Sequence, residues 1–474
     1  KRLVKSGDIY LDKYSGWYSV SDEAFYDEDE IEENNGKKIS KSSGSLVEWV
    51  EEEDAGNQTS LAVNGTTLCS WTNHDLVQEG CGFDVDVEWG IWVRHVPKKV
   101  ELMLPCFDVS ATAQKAGDCG SMLPFDPLAA SFWGMTCWDE QRGAVSLDEH
   151  QRPDSKSLPW SRAEGDAAFG DHRLPMRSQH RWPWLDLMWH VVLDGSGLTL
   201  TQGVEFRPTF DVDVAFKHLG RSRLKSRLLQ WRDALKGNWK LVKERREVLL
   251  GNTEDEYDTY SAIKELHAQE PLAWFILAAE RNRPHDIGLD PDGVTLPALV
   301  ETLGAHRAGA RVCWHPSYAA VDRIQVAKDE QGRFASWHGT DLVMVRSHFL
   351  RGTPGMHWRS LVELGIEEDA SLGWSRDVGF RSGTSRPFEA YDLTSESAMG
   401  LTVHPVAVMD TALRVGLQWS PESACKHMDQ MMEVVAMVGG TWMSCWHNTS
   451  FSDASEWQGW RATYLHMVHK VRQL

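Results

Sequence analysis

No two of the eight cysteines stand in a C-x-x-C pair. The chain therefore spells neither a zinc knuckle nor a redox dithiol, and Cys69, Cys81, Cys106, Cys119, Cys137, Cys313, Cys425 and Cys445 read as reduced thiols. No apolar run reaches about 18 residues, the length a membrane-spanning helix needs, and the residues after Lys1 carry no secretory leader pattern. A cytoplasmic protein with no membrane partner is expected. Cations are in deficit, with 49 Lys and Arg against 69 Asp and Glu, a formal net charge of −20 at pH 7. Such a surface repels phosphate backbones, so nucleic acid is not expected as a partner. There is no internal repeat and no long low-complexity tract. With 474 residues and 42% apolar content, the chain can bury a large core in two or three domains.

In excess is tryptophan, with 23 residues. Trp314, Trp374, Trp446 and Trp460 fall near the polar positions described next, and each is either core filling or an aromatic face for a sugar ring.

Polar groups recur where apolar runs stop. Phe206 to Asp213 reads F-R-P-T-F-D-V-D, and because a strand shows residues i and i+2 on one side, Asp211 and Asp213 would share a face at its tip. Ala310 to Trp314 ends in His315, Leu342 to Val345 is followed by Arg346 and His348, Val378 and Phe380 lead to Arg381, and Thr441 to Trp446 ends in His447. Helical spacing lies between them, at Arg221–Lys236, Tyr257–His267, Leu296–His306, Met356–Leu364, Glu422–Val438 and Trp457–Val471. Alternating strands and helices over roughly 270 residues predict an α/β fold of the (β/α) barrel kind, with its site at the C-terminal strand ends. Two carboxylates and several imidazoles there suit a divalent metal such as zinc, which takes nitrogen and oxygen ligands and keeps one position open. One acid can serve the metal and the other the proton, which is sufficient for hydrolysis of an amide or ester.

Residues 1–54 differ from the rest and carry two acidic runs, Asp22–Glu33 and Glu51–Asp54. G-D-I-Y-L-D-K-Y-S-G-W-Y-S-V-S-D-E-A-F-Y (Gly7–Tyr26) and L-V-E-W-V-E-E-E (Leu46–Glu53) resemble methionyl-tRNA synthetase, where the catalytic domain leads into its connective insert. The resemblance would imply aminoacylation, but the family's His-x-Gly-His signature occurs nowhere in this chain. K-I-S-K-S at Lys38–Ser42 imitates the family's second loop in the wrong place, directly ahead of V-E-W-V-E-E-E. The segment reads as a fragment without synthetase activity. Residues 55–200 read as a mixed α+β region, with strands at Val85–Val93 and Lys99–Leu104, a helix over Pro127–Trp138 and a loop-rich stretch over Arg152–Pro183. A second D-x-D, Asp84 and Asp86, has no histidine following it at strand-end spacing and reads as structural.

The order of the strand-end motifs resembles the polysaccharide deacetylase (NodB homology) family, in an uncharacterised branch, over about residues 120–474. The pieces are L-P-F-D-P-L-A-A-S-F (123–132), F-R-P-T-F-D-V-D (206–213), C-W-H-P-S-Y (313–318), R-S-H-F-L-R (346–351), G-F-R-S-G-T-S-R-P-F (379–388), V-M-D-T-A-L (408–413) and C-W-H-N-T-S-F (445–451). The resemblance implies a distorted (β/α) barrel over 201–474. It implies Asp211 as general base, Asp213 and His315 as metal ligands, with the roles of the two acids exchangeable, and Arg381 holding the base carboxylate. His447 would then protonate the leaving amine, oriented by Asp410. The family's third ligand is a histidine four residues after the first; here that position is Ala319, and His348 is the replacement candidate. Two readings follow. One is a metal-dependent hydrolase removing acetyl from an N-acetylated sugar or cleaving a related amide. The other is a barrel without catalysis that binds carbohydrate or acts as a scaffold.

Overall fold

The computed structural model describes residues 126–158, 166–169, 172–194, 203–279, 285–286, 295–304, 310–338 and 343–474, together with strand segments at 14–19, 24–26, 30–34, 37–41, 48–52, 58–63, 66–72, 88–95 and 99–106. The chain divides into two compact units, one of Lys1–Glu88, Cys106–Gln114 and Asp118–Ala129, the other of Trp89–Pro105, Lys115–Gly117 and Ala130–Leu474.

In the first unit Tyr14–Ser19 lies between Ala24–Tyr26 and Glu48–Glu52 in an antiparallel sheet. Two hairpins accompany it, Ile31–Asn34 with Lys37–Ser40 and Gln58–Val63 with Thr66–Thr72. Both hairpins are joined in the sequence by an Asn-Gly pair, Asn35-Gly36 and Asn64-Gly65, the pair that favours tight two-residue turns. Most of the K-I-S-K-S segment is therefore hairpin strand. Asp84 and Asp86 lie outside the described residues.

The second unit is built on a nine-stranded sheet. Its strands are β1 Glu205–Val212, β2 Ala273–Leu277, β3 Arg311–His315, β4 Met344–Val345, β5 Glu368–Asp369, β6 Phe388–Asp392, β7 Ser397–Val403, β8 Val408–Met409 and β9 Thr441–His447. They stand in the order β6-β7-β5-β4-β3-β2-β1-β9-β8, parallel except for the antiparallel pair β6 and β7. The parallel α/β sheet meets the expectation; the closed barrel does not follow, since β6 and β8 remain two edges among the described residues.

Between strands run α1 Arg223–Leu235, α2 Trp239–Leu249, α3 Tyr260–Leu266, α4 Thr295–Gly304, α5 Ile324–His338, α6 Met356–Glu363 and α7 Pro421–Met437, and α8 Trp460–Val471 follows β9. Hydroxyl caps open two of them. Ser222 Oγ accepts from Lys225 N before α1, and Ser420 Oγ accepts from Ser423 N before α7, which starts on proline.

The mostly apolar runs of β2, β3 and β9, and the buried second half of β1, follow from burial on both faces. Phe210, Val212, Trp274, Ile276, Trp314, Trp442 and Trp446 point one way, into a large core shared with the helices. Phe275, Cys313, Met443 and Cys445 point the other way, into a smaller core with Met344, Val406 and Met409. The polar residues one step further along these strands therefore open above the smaller core.

Val378–Arg381 is not a strand. Gly379 takes φ +107° and lies so close to the Arg181 backbone that a Cβ there would come within 2.2 Å of Arg181 Cα. The chain turns at that point, and Arg381 does not reach a strand end.

Candidate metal centre

Register sets the site. Asp211 on β1 lies opposite His447 on β9, and β2 bridges β1 to β3, where Leu277 pairs with His315. Asp213 follows β1 by one residue, and Arg346 and His348 follow β4. Asp213, His315 and His348 thereby converge, each offering one ligand atom within 4.8 Å of the others. His315 Nε2 stands 3.2 Å from Asp213 Oδ1, and His348 Nε2 stands 3.3 Å from Asp213 Oδ2.

Each imidazole is oriented from behind. His315 Nδ1 bonds to the Arg346 carbonyl, and His348 Nδ1 lies 2.9 Å from Asp286 Oδ1. Asp286 is fully buried and also accepts the Tyr318 backbone N–H at 2.8 Å. An outer carboxylate or carbonyl of this kind sets tautomer and ring orientation in metal-ligating histidines. The facing atoms His315 Nε2 and Asp213 Oδ1 are buried without a hydrogen-bond partner. Two orphaned lone-pair donors with a third beside them are a donor set that fits a divalent cation, with nitrogen and oxygen ligands as zinc takes. Ala319, in the short helix Tyr318–Asp322, brings no ligand. The triple is completed by His348.

The second carboxylate has a different environment. Asp211 Oδ1 accepts from Arg346 Nη1 at 2.7 Å, and Oδ2 accepts the Cys445 thiol at 3.3 Å and stands 3.9 Å from His315 Nε2. Burial pushes the Asp211 carboxyl up, yet the Arg346 guanidinium and the nearby imidazoles more than offset it and hold it below the usual range. The guanidinium also bonds Thr209 Oγ1 and the Ala370 carbonyl and lies 4.2 Å from the Phe275 ring centroid. Arg346, not Arg381, holds the proposed base. Arg381 instead forms a buried fork on Glu140, because the turn at Gly379 directs it away from β1.

On the far side His447 Nδ1 is 2.8 Å from Asp410 Oδ1, while its Nε2 is 3.5 Å from Asp213 Oδ2. Asp410 follows β8, is fully buried, and also accepts from His447 N and Ser450 Oγ. Burial disfavours the imidazolium, but Asp410 and Asp213 raise the His447 pKa well above its ordinary value. His348 is likewise pushed up to about 9, burial being outweighed by Asp213 and Asp286. Asp213 is held well below the carboxylate range, its burial outweighed by His348 and His447. A divalent cation held by Asp213, His315 and His348 would displace the proton from His348, whereas His447 lies outside that donor set and keeps Asp410 as its partner.

Asp211, Asp213, His315, His348 and His447 line a cavity of about 340 Å³ that also takes in His150, Arg152 and Met409. Trp314, Trp374, Trp446 and Trp460 do not line it. All four are buried in packed regions, so none offers a sugar-stacking face. Sequence reasoning missed Asp286 altogether and gave Arg346 no role, although Arg346 stands at a strand end beside His348.

No family model matches the chain. A short stretch is similar to methionine–tRNA ligases: 47% identical over 53 residues to that of Mycobacterium bovis and 50% over 52 residues to that of Rhizobium meliloti, in each case 11% of this chain and 10% of the relative. The chain thus spans about a tenth of the length of the curated relatives it matches. Among solved structures, a candidate polysaccharide deacetylase from Mycobacterium smegmatis aligns at TM-score 0.36 and 15% identity, over 58% of this chain and 86% of that one. The PuuE allantoinase aligns at TM-score 0.36 and 10% identity, over 59% and 89%.

Proposed function

We propose that this chain is a metal-dependent hydrolase that cleaves a C–N amide bond, with N-acetylated sugars as the substrate class. The observation that carries the reading is the convergence of Asp213, His315 and His348 with orphaned facing atoms. That triple lies between an arginine-held carboxylate and a carboxylate-held imidazole.

Asp213, His315 and His348 would hold the cation. When bound, it would supply polarisation of the scissile carbonyl and acidification of the attacking water. Asp211, kept ionised by Arg346, accepts the proton from that water through Oδ2, the oxygen on the His315 side. His447, kept protonated by Asp410, gives its Nε2 proton to the departing amine. A base and an acid driven apart in pKa by their surroundings are the pairing such a reaction requires. The carbohydrate-binding reading without catalysis rests on Ala319 and the tryptophan content, and Trp314, Trp374, Trp446 and Trp460, being buried, lend it no stacking face at the strand ends.

The test is metal content of the purified protein alongside a screen of N-acetylated sugars and small amides. About one divalent ion per chain, together with metal-dependent release of acetate or amine, supports the reading. A protein that takes up no zinc, cobalt or nickel after loading refutes it.

A further inference from the structure

The helix pair after β1 is built inside out. α1 turns polar residues inward: Ser226 and Asp233 are buried, and Asp233 Oδ2 accepts from the buried Arg245 of α2 at 2.6 Å. Outward it shows Leu224, Leu228, Trp231 and Leu235, which are 69%, 61%, 70% and 85% exposed. Their spacing of four, three and four places them on one stripe of the helix. Trp239, which opens α2, and Leu250, just after its end, are 66% and 61% exposed. A soluble fold ordinarily buries such a stripe, and an exposed one of this size marks an interaction surface.

Charge states what it meets. Residues 221–250 contain ten Arg or Lys against three acids, in a chain whose net charge is −20. Seven of those cations and none of the acids are exposed. On α1, Arg223 and Arg227 flank the apolar stripe on one side, with Arg232 and Lys236 on the other.

We propose that this ridge docks the protein reversibly on the surface of an anionic lipid bilayer. The occupant follows from shape and charge together. Leucines and tryptophans this exposed form a convex ridge, which a deformable bilayer interface accommodates, with tryptophan at headgroup depth and flanking cations on anionic headgroups. Nucleic acid would leave the leucines without partners. A second copy joined through the same ridge would bring Arg223 and Arg227 against like charges. Lying on a bilayer differs from crossing one, and no described helix is long and apolar enough to cross. The inference does not depend on the hydrolase reading, since none of these residues lines the cavity.

The test is co-sedimentation of the full chain with vesicles of phosphatidylcholine alone or with about 30% phosphatidylserine, the anionic lipid of cytoplasmic leaflets. Partition is expected to be at least about tenfold stronger on the anionic vesicles and to fall at high salt. Leu228→Ser with Trp231→Ser, and separately Arg227→Glu with Lys236→Glu, should each weaken it about tenfold or more. All four residues are exposed, so the melting temperature should not move, which separates lost docking from lost folding. Three results would overturn the proposal: no sedimentation with anionic vesicles, binding that ignores both double substitutions, or capture of an acidic peptide by the ridge in a protein that ignores vesicles.

Discussion

Arg346 places Nη1 2.7 Å from Asp211 Oδ1 and 2.7 Å from Thr209 Oγ1. Both partners stand on one face of β1, so a single buried guanidinium sets the strand tip that carries the proposed base. Removing one partner of such a pair leaves a buried charge uncompensated, at a cost of about 3–5 kcal/mol. Arg346→Met is therefore expected to lower stability by that amount in a urea titration. Arg346→Lys, which keeps the charge but cannot bond Asp211, Thr209 and the Ala370 carbonyl together, is expected to fold and to lose about 10–100-fold in kcat.

Metal content separates ligands from base. His315→Ala and His348→Ala should each purify without stoichiometric metal. Asp211→Asn should retain it and lose hydrolysis. Asp286→Ala, which removes the carboxylate behind His348 and with it the acceptor for Tyr318 N–H, should weaken metal affinity by about 10–100-fold. Elemental analysis and competition with a chelator read all four. Undiminished metal in His348→Ala would mean that the third ligand lies elsewhere.

Asp410 acts through His447. Asp410→Asn is expected to cut kcat by about 100-fold or more while metal stoichiometry and KM stay near wild type. A matched fall in metal content would recast Asp410 as support for the whole cluster.

Arg381 tests structure against chemistry. Its buried pairing with Glu140 predicts that Arg381→Met destabilises by about 3–5 kcal/mol, with kcat per folded molecule unchanged. A variant that melts as wild type but is inactive would restore Arg381 to the site.

Asp139 provides a pH-dependent check outside the cavity lining. Burial pushes its carboxyl up to about 6 from 3.8, although it accepts the Trp133 indole N–H at 3.0 Å. The folded state then binds the proton more tightly than the unfolded chain. Stability attributable to this group is highest below about pH 4 and falls as pH rises through 6. Asp139→Asn keeps an acceptor for Trp133 and removes the charge, so it should gain about 1–3 kcal/mol at pH 7.5 and little at pH 4. Chemical melts at the two pH values measure it, and a loss of stability at pH 7.5 would contradict the assignment.

Strands were legible where an apolar stretch ended in a polar group, as in F-R-P-T-F-D-V-D and T-W-M-S-C-W-H; Ala273–Leu277, apolar and buried throughout, carries no such ending and was not singled out. Positions such as Asp213, His315 and His447 could be marked because a polar group ending such a run has few places to point. Helices with a strong apolar stripe, such as α7, were equally visible. α2 was not, because its inward contact is an arginine on an aspartate.

Residue order along this chain determined the alternation of parallel strands and helices and the set of polar strand tips, since both depend on local periodicity. Which tips meet was decided only by the folded chain. Arg346 and Arg381 have the same chemistry and the same apparent position at the end of an apolar run. One reaches Asp211 because β4 pairs in the sheet; the other is turned onto Glu140 because Gly379 packs against the Arg181 backbone. Partner choice between like charges depends on distances across more than a hundred residues, and those exist only once the sheet has formed.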